Sequence, residues 1–168
     1  AGTANYEGSN QLGRSRSARW LPTWNVSGRW NASNESFLKD NTKISNLAFR
    51  VSYGLIAGLG SASNALAIFK NEVANRYNLS DRENTIYIEA LQNSELTWEK
   101  VYEANVGMEL GLFKNRVNLS LDLYQKNSKD LIDYVRTSGV GGQLVKLANN
   151  ASMVTKGIEL ALDTKNIK

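Results

Sequence analysis

The chain has 168 residues, 42% of them hydrophobic, a formal net charge of +4, and neither cysteine nor histidine. Those two absences exclude a disulfide framework, a thiolate nucleophile, a Ser-His-Asp triad and Cys- or His-ligated metal centres, so no metal and no other cofactor is expected. Mean hydropathy is -0.39 and no apolar run approaches the roughly 18 residues of a spanning helix, but spanning β-barrels escape this test because their strands alternate lipid-facing apolar with lumen-facing polar side chains.

One proline and 13 glycines punctuate the chain, and its recurrent signal is period-two alternation, the mark of two-faced strands. Ala1 to Asn10 carries no basic stretch followed by an apolar one, so it does not read as a secretory signal. A first strand is expected to enter before Tyr6. A second, over 18–31, sets Trp20, Pro22, Trp24, Val26, Gly28 and Trp30 on one face and Asn25, Ser27 and Arg29 on the other. A third, over 43–57, sets Leu47, Phe49, Val51, Tyr53 and Leu55 against Ala48, Arg50, Ser52 and Gly54. In the long segment that follows, 58–95, the spacing of Leu66, Phe69, Val73 and Tyr77 predicts a short helix. Strands over 96–112, 116–135 and 152–164 complete the pattern, the last alternating Ile158, Leu160 and Leu162 with Glu159, Ala161 and Asp163.

The fourth and fifth strands fix a register. Phe113-Lys114-Asn115-Arg116 reads as a tight hairpin turn. Pairing its ends sets Leu112 against Val117, Leu110 against Leu119, Met108 against Leu121 and Val106 against Leu123. On the other face Glu109 meets Ser120, Asn105 meets Tyr124 and Glu103 meets Lys126. A slip of one residue would destroy both agreements at once. Further up, Glu99 would oppose Asp130, so the pairing is expected to shift or fray there.

Connections alternate between long ones, at 7–17, 58–95 and 136–151, and shorter ones, at 32–42 and 113–116. Outer-membrane barrels show this asymmetry, with long loops outside and short turns on the periplasmic side. A soluble β-sandwich would give the same alternation with its apolar face turned inward. Three features favour the barrel. The strands reach the roughly 9–11 residues that spanning requires, against about 5–6 in soluble sheets. Trp20, Trp24, Trp30, Trp98 and Tyr102 sit near segment ends, as an interfacial girdle would. The opposite faces carry charges, including Arg29, Arg50, Glu109, Asp122 and Glu159.

These segments, in order, resemble the SusC/RagA family of TonB-linked outer-membrane proteins. The likeness is carried by Glu7-Gly8-Ser9, by Arg19 to Trp30 with Glu35 and Phe37-Leu38, and by Ile44 to Gly54, which is similar to the family's Leu-Lys-Leu-Arg-x-Ser-Tyr-Gly strand. It continues through Asn93-Ser94-Glu95-Leu96-Thr97-Trp98-Glu99, Asn105-Val106-Gly107, Leu123-Tyr124-Gln125-Lys126 and Asp130-Leu131-Ile132, and ends with Asn149 and Lys156-Gly157-Ile158-Glu159-Leu160. No single piece is specific; six in order are. Leu21-Pro22-Thr23, Ala48, Ser152 and Thr155 depart from the family pattern.

The resemblance implies an all-β fold: an antiparallel transmembrane barrel fragment, about six long strands of a larger barrel of 22 strands with a plugged lumen. Residues 1–168 would be part of a single receptor barrel domain, with the plug, the earlier strands and the last strand outside it. It implies import of oligosaccharides or peptides across the bacterial outer membrane, driven by TonB acting through an N-terminal region and capped by a SusD-like surface lipoprotein. Arg50, Asn105, Glu109, Asp122 and Glu159 are the lumen-facing candidates for substrate contact, and the loops 58–95 and 136–151 are candidates for the substrate chamber or the lipoprotein interface.

Other functions find little support. The only compact basic cluster is Arg14, Arg16 and Arg19, so a nucleic-acid partner is not expected. Glu99 and Glu103 on one strand lie about 13 Å apart, beyond the roughly 6.5–9.5 Å of an inverting glycosidase pair. Gly58-Leu59-Gly60 lacks the third glycine and the strand-to-helix setting of a dinucleotide loop. No catalytic residue is expected. The alternative is a carbohydrate-binding β-sandwich with the tryptophans as stacking platforms.

Overall fold

A computed structural model describes residues 1–38, 41–60, 65–75, 82–140 and 142–165. Eight strands dominate: β1 (Gly2–Gly8), β2 (Trp20–Asn31), β3 (Ile44–Gly58), β4 (Ile68–Asn75), β5 (Arg82–Ala90), β6 (Glu99–Leu112), β7 (Val117–Arg136) and β8 (Val145–Thr164). Six of them form one sheet in the order β1-β2-β3-β6-β7-β8, every neighbour antiparallel. The remaining two, β4 and β5, make a separate hairpin inserted between β3 and β6. The architecture is all-β, a fragment of barrel wall.

The expected hairpin register is the observed one. Leu112 lies against Val117, Leu110 against Leu119, Met108 against Leu121 and Val106 against Leu123, with Glu109 opposite Ser120, Asn105 opposite Tyr124 and Glu103 opposite Lys126. The turn is made by Phe113, Lys114 and Asn115 at φ 53, 57 and 60, left-handed values that reverse the chain within a few residues and that Asn tolerates best. The pairing of β6 with β7 stops at Lys100 and Lys129. Beyond it, Asp130 adopts φ 57 and the β7–β8 register shifts between Ser128 and Ile132. Glu99 therefore never faces Asp130, and the like charges are kept apart by a bulge.

Two expectations are corrected. The helix predicted from Leu66, Phe69, Val73 and Tyr77 is absent: Ile68 to Asn75 is a strand paired with Arg82 to Ala90, and Tyr77 lies outside the described residues. Its partner carries Thr85, Ile86, Tyr87 and Ile88, a β-branched and aromatic run that prefers a strand. Half of the segment 136–151 is strand as well, because β7 reaches Arg136 and β8 begins at Val145. The bulge and the polar Asn149-Asn150 conceal the alternation there.

Across the sheet the apolar residues fall into continuous rows. Gly28, Val51, Val106, Leu123 and Ile158 are successive partners on five strands, as are Trp30, Phe49, Met108, Leu121 and Leu160. The apolar band crosses these rows obliquely. Its lower boundary is at Trp30 on β2 and at Leu112 and Val117 on β6 and β7, two rows further down, roughly 13 Å along the strands. Its upper boundary drops in parallel, from Trp24 on β2 to Leu123 on β7, above which Gln125 and Asn127 follow. The sheet advances three strands, roughly 14 Å, over the same interval. The band therefore slopes at roughly 40–45° to the rows, which is the tilt of strands that span a membrane.

This face has no second sheet over it among the described residues, so the sandwich alternative is overturned. Val51 is 55% exposed, Ile158 74% and Leu160 68%, whereas a sandwich would bury them. The buried apolar cluster is small and lies at the long-loop end, where Leu12, Ala65, Leu96 and Trp98 pack with Leu21, Ala57, Leu59 and Ile132.

Candidate functional site

The face opposite the apolar band is polar and collects the candidate residues. Arg29, Arg50, Gly107, Asp122 and Glu159 form one row across five strands, and Ser27, Ser52, Asn105, Tyr124 and Gly157 form the next. Glu109 occupies the row on the other side, between Ala48 and Ser120. Arg50, Asn105, Glu109, Asp122 and Glu159 thus share one surface, because strand parity fixes the face of each and the register brings the rows level.

Charge is matched along this surface. Arg29 donates to Glu109 at 2.7 Å, Arg50 reaches Glu109 at 3.2 Å, and the Arg50 guanidinium holds both carboxylate oxygens of Asp122 at 2.7 and 2.9 Å. Lys126 pairs with Glu103 at 3.5 Å, and Asn105 donates to Glu103 and to Ser52. Glu159 stands directly opposite Asp122, exposed and outside this chain of ion pairs. Half-exposed pairs of this kind are each worth at most about 1 kcal/mol. Their effect is orientation: Arg29 reaches over β3 and Arg50 over β6, and carboxylates fix both there.

Two glycines make the crossings possible. A Cβ on Gly107 would stand 2.5 Å from Asp122 Oδ1 and 2.7 Å from Arg50 Nε, so the Arg50–Asp122 bridge passes directly over that backbone. The Tyr124 ring lies over Gly157 in the same way, leaving no room for a Cβ. Neither meeting is visible in the sequence, although Asn105-Val106-Gly107, Leu123-Tyr124 and Lys156-Gly157 are all pieces of the resemblance. The missing information is the register of β3 on β6 and of β8 on β7.

The aromatics divide. Trp20, 43% exposed, stacks on Tyr6 at 5.1 Å, and Trp30, 51% exposed, stacks on Phe49 at 5.8 Å. They stand at opposite ends of β2, Trp30 at the lower boundary of the apolar band and Trp20 beyond its upper one. Trp24 meets Tyr53 edge-on at 5.4 Å, and Tyr102 lies beside Leu55 under the Lys129 ammonium. Trp98 departs from the girdle set. It is 5% exposed within the loop-end cluster, and its indole N–H donates to the Arg19 carbonyl at 2.9 Å. Its place just before β6 makes it a cap for packed loops.

At that same end the connections at 7–17 and 58–95 are knitted together. Gly13 and Arg14 donate to the carbonyls of Leu96 and Ser94, Ala65 to that of Gln11, and Asn93 to that of Ala65. The projecting β4–β5 hairpin exposes Phe69, Val73 and Ile86. On it Tyr87 first, and Glu89 second, raise the pKa of Lys70. The carboxylates imagined as a catalytic pair are otherwise engaged: Glu99 accepts the Ile132 N–H at 2.9 Å, and Glu103 is bound by Lys126 and Asn105.

Comparison with known proteins agrees with this geometry. The family model described as "TonB dependent receptor-like, beta-barrel" matches residues 2–165. TonB-dependent receptor P3 of Formosa agariphila is 29% identical over 170 aligned residues, covering 98% of this chain and 16% of the relative. TonB-dependent receptor SusC of Bacteroides thetaiotaomicron is 26% identical, covering 98% of this chain and 17% of the relative. Among solved structures, the RagAB peptide importer in its closed-closed state superposes with a TM-score of 0.78 at 23% identity, over 96% of this chain and 17% of that one. The chain spans about one sixth of the length of the relatives it matches.

Proposed function

Because the chain belongs to the β-barrel family of TonB-dependent receptors, we propose that it is a wall segment of an outer-membrane importer of nutrient oligomers, oligosaccharides or peptides, and not an enzyme. In this reading the segment is part of one barrel domain of 22 strands, its lumen is closed by a plug, TonB acts through a region outside this segment, and a SusD-like lipoprotein caps the outer mouth. The observation that carries the proposal is the oblique apolar band: it has the slope of a hydrocarbon belt, and it backs onto a polar, charge-matched face. Outer-membrane lipid is then the partner of the apolar face. Arg50, Asn105, Glu109, Asp122 and Glu159 are lumen-facing, and Trp20, Trp24, Trp30 and Tyr102 lie at the membrane interfaces. The exposed apolar side chains of β4–β5 and the tip at 137–144 belong to the outer loops that meet substrate or lipoprotein.

The test is uptake of labelled oligosaccharide and peptide pools by cells carrying the complete protein. Uptake of at least one pool should require both this protein and TonB. Deleting 62–90 should leave the barrel inserted while lowering uptake or lipoprotein capping. Uptake indifferent to loss of the protein or of TonB would refute the importer reading; normal transport and capping after the deletion would refute the role of the loop.

A further inference from the structure

Regular pairing of β6 with β7 ends at Lys100 and Lys129, yet the segment before β6 stays attached to the β7–β8 hairpin. One side chain makes three of the hydrogen bonds of this junction. Asn149 of β8 accepts the Thr97 N–H at 2.9 Å, donates to the Thr97 carbonyl at 2.8 Å, and donates to the Asp130 carbonyl at 2.6 Å. Its carboxamide thus supplies to Thr97 both hydrogen bonds that a neighbouring strand residue would have made, and its second N–H ties down the residue at the bulge. Asp130, held at φ 57, is clamped from the other side by the Lys100 ammonium at 2.7 Å. Glu99 Oε1 takes the Ile132 N–H just past the bulge. A second carboxamide, that of Asn93, donates to the Leu147 carbonyl at 2.8 Å.

We propose that Asn149 is a positioning residue that couples two outer loops, locking the 91–98 connection to the β7–β8 hairpin across the bulge at Asp130 so that they shift as one body. The bulge frees the upper hairpin from the β6 ladder. Without Asn149 the hairpin would keep the links of Asn93, Glu99, Lys100 and Gln143 and the packing of Ile132 against the loop-end cluster, but none of these holds the Thr97 backbone. Both N–H groups and the oxygen of the Asn149 carboxamide are used, which makes Leu the diagnostic replacement: it is close in size and removes the accepted bond and both donated ones.

The experiment uses the intact barrel in lipid nanodiscs, with spin labels at Glu95 and Val140, both exposed, and amide exchange read by mass spectrometry. In Asn149→Leu, exchange at Thr97 should rise about tenfold or more and the 95–140 distance distribution should broaden. Amides of the lower wall, such as Leu110 and Leu119, should exchange as before. An unchanged distribution with unchanged Thr97 exchange would overturn the proposal, and so would an equal rise throughout the wall, since Asn149 would then act on global stability alone. Should that variant fail to insert, Asn149→Ser, whose short hydroxyl cannot span from Thr97 to Asp130, should broaden the same distribution; a narrow one would likewise overturn the coupling.

Discussion

At the scale of single residues, glycine and arginine share the work on the polar face. Arg50 reaches Asp122 only because Gly107 presents bare backbone beneath it. The magnitudes separate the two contributions. Arg50→Met removes half-exposed ion pairs and should cost under about 1 kcal/mol of unfolding free energy. Gly107→Val forces a branched side chain into space held by Asp122 and Arg50, and should cost about 1–3 kcal/mol. Urea titration of the intact barrel in vesicles, followed by tryptophan fluorescence, ranks them. A larger loss for Arg50→Met than for Gly107→Val would mean that the ion pairs, and not the clearance, hold this face.

At the scale of strands, each position has a face, and the two faces should respond oppositely to charge. Leu121 and Ser120 are adjacent in β7 but belong to the apolar and polar rows. Leu121→Arg should destabilise the inserted barrel by about 2–4 kcal/mol near the bilayer midplane, while Ser120→Arg should change it by less than about 1 kcal/mol. The same titration checks both, and equal losses would remove the distinction between faces. Much of this was legible in the sequence because parity is local: Leu110 opposite Leu119 and Glu109 opposite Ser120 follow from a short turn and period two. What stayed illegible depends on distant pairing or on side-chain reach. The adjacency of β3 and β6 skips an entire hairpin, Tyr124 covers Gly157 only once β8 is in register, and Asn149 acts through its carboxamide on a backbone 52 residues away. The strand hidden in Ile68–Asn75 was missed because Leu66, Phe69 and Val73 happen to be spaced as on a helix, and Trp98 was misassigned because aromatics at strand ends serve lipid interfaces and loop cores alike.

At the scale of the molecule, six strands in a row leave two outer edges, β1 and β8, and a sheet that is apolar on one side with almost nothing packed against it. Unpaired edge groups cannot be satisfied in hydrocarbon, and the buried cluster around Leu12, Leu96 and Trp98 is too small to hold such a sheet in water. The segment alone should therefore show no cooperative thermal transition as a monomer without detergent; a sharp melt by circular dichroism would contradict this.

The central claim is that the oblique band faces hydrocarbon and the charged rows face a wet interior. Its most direct measurement is site-by-site quenching of a bimane label on single cysteines in the intact barrel, reconstituted in vesicles. Labels at Val51, Leu121 and Leu160 should be quenched by brominated acyl chains and spared by iodide. Those at Arg50, Glu109 and Glu159 should be quenched by iodide and spared by the lipid. The reverse pattern, or quenching that ignores the parity of the strand, would contradict the account.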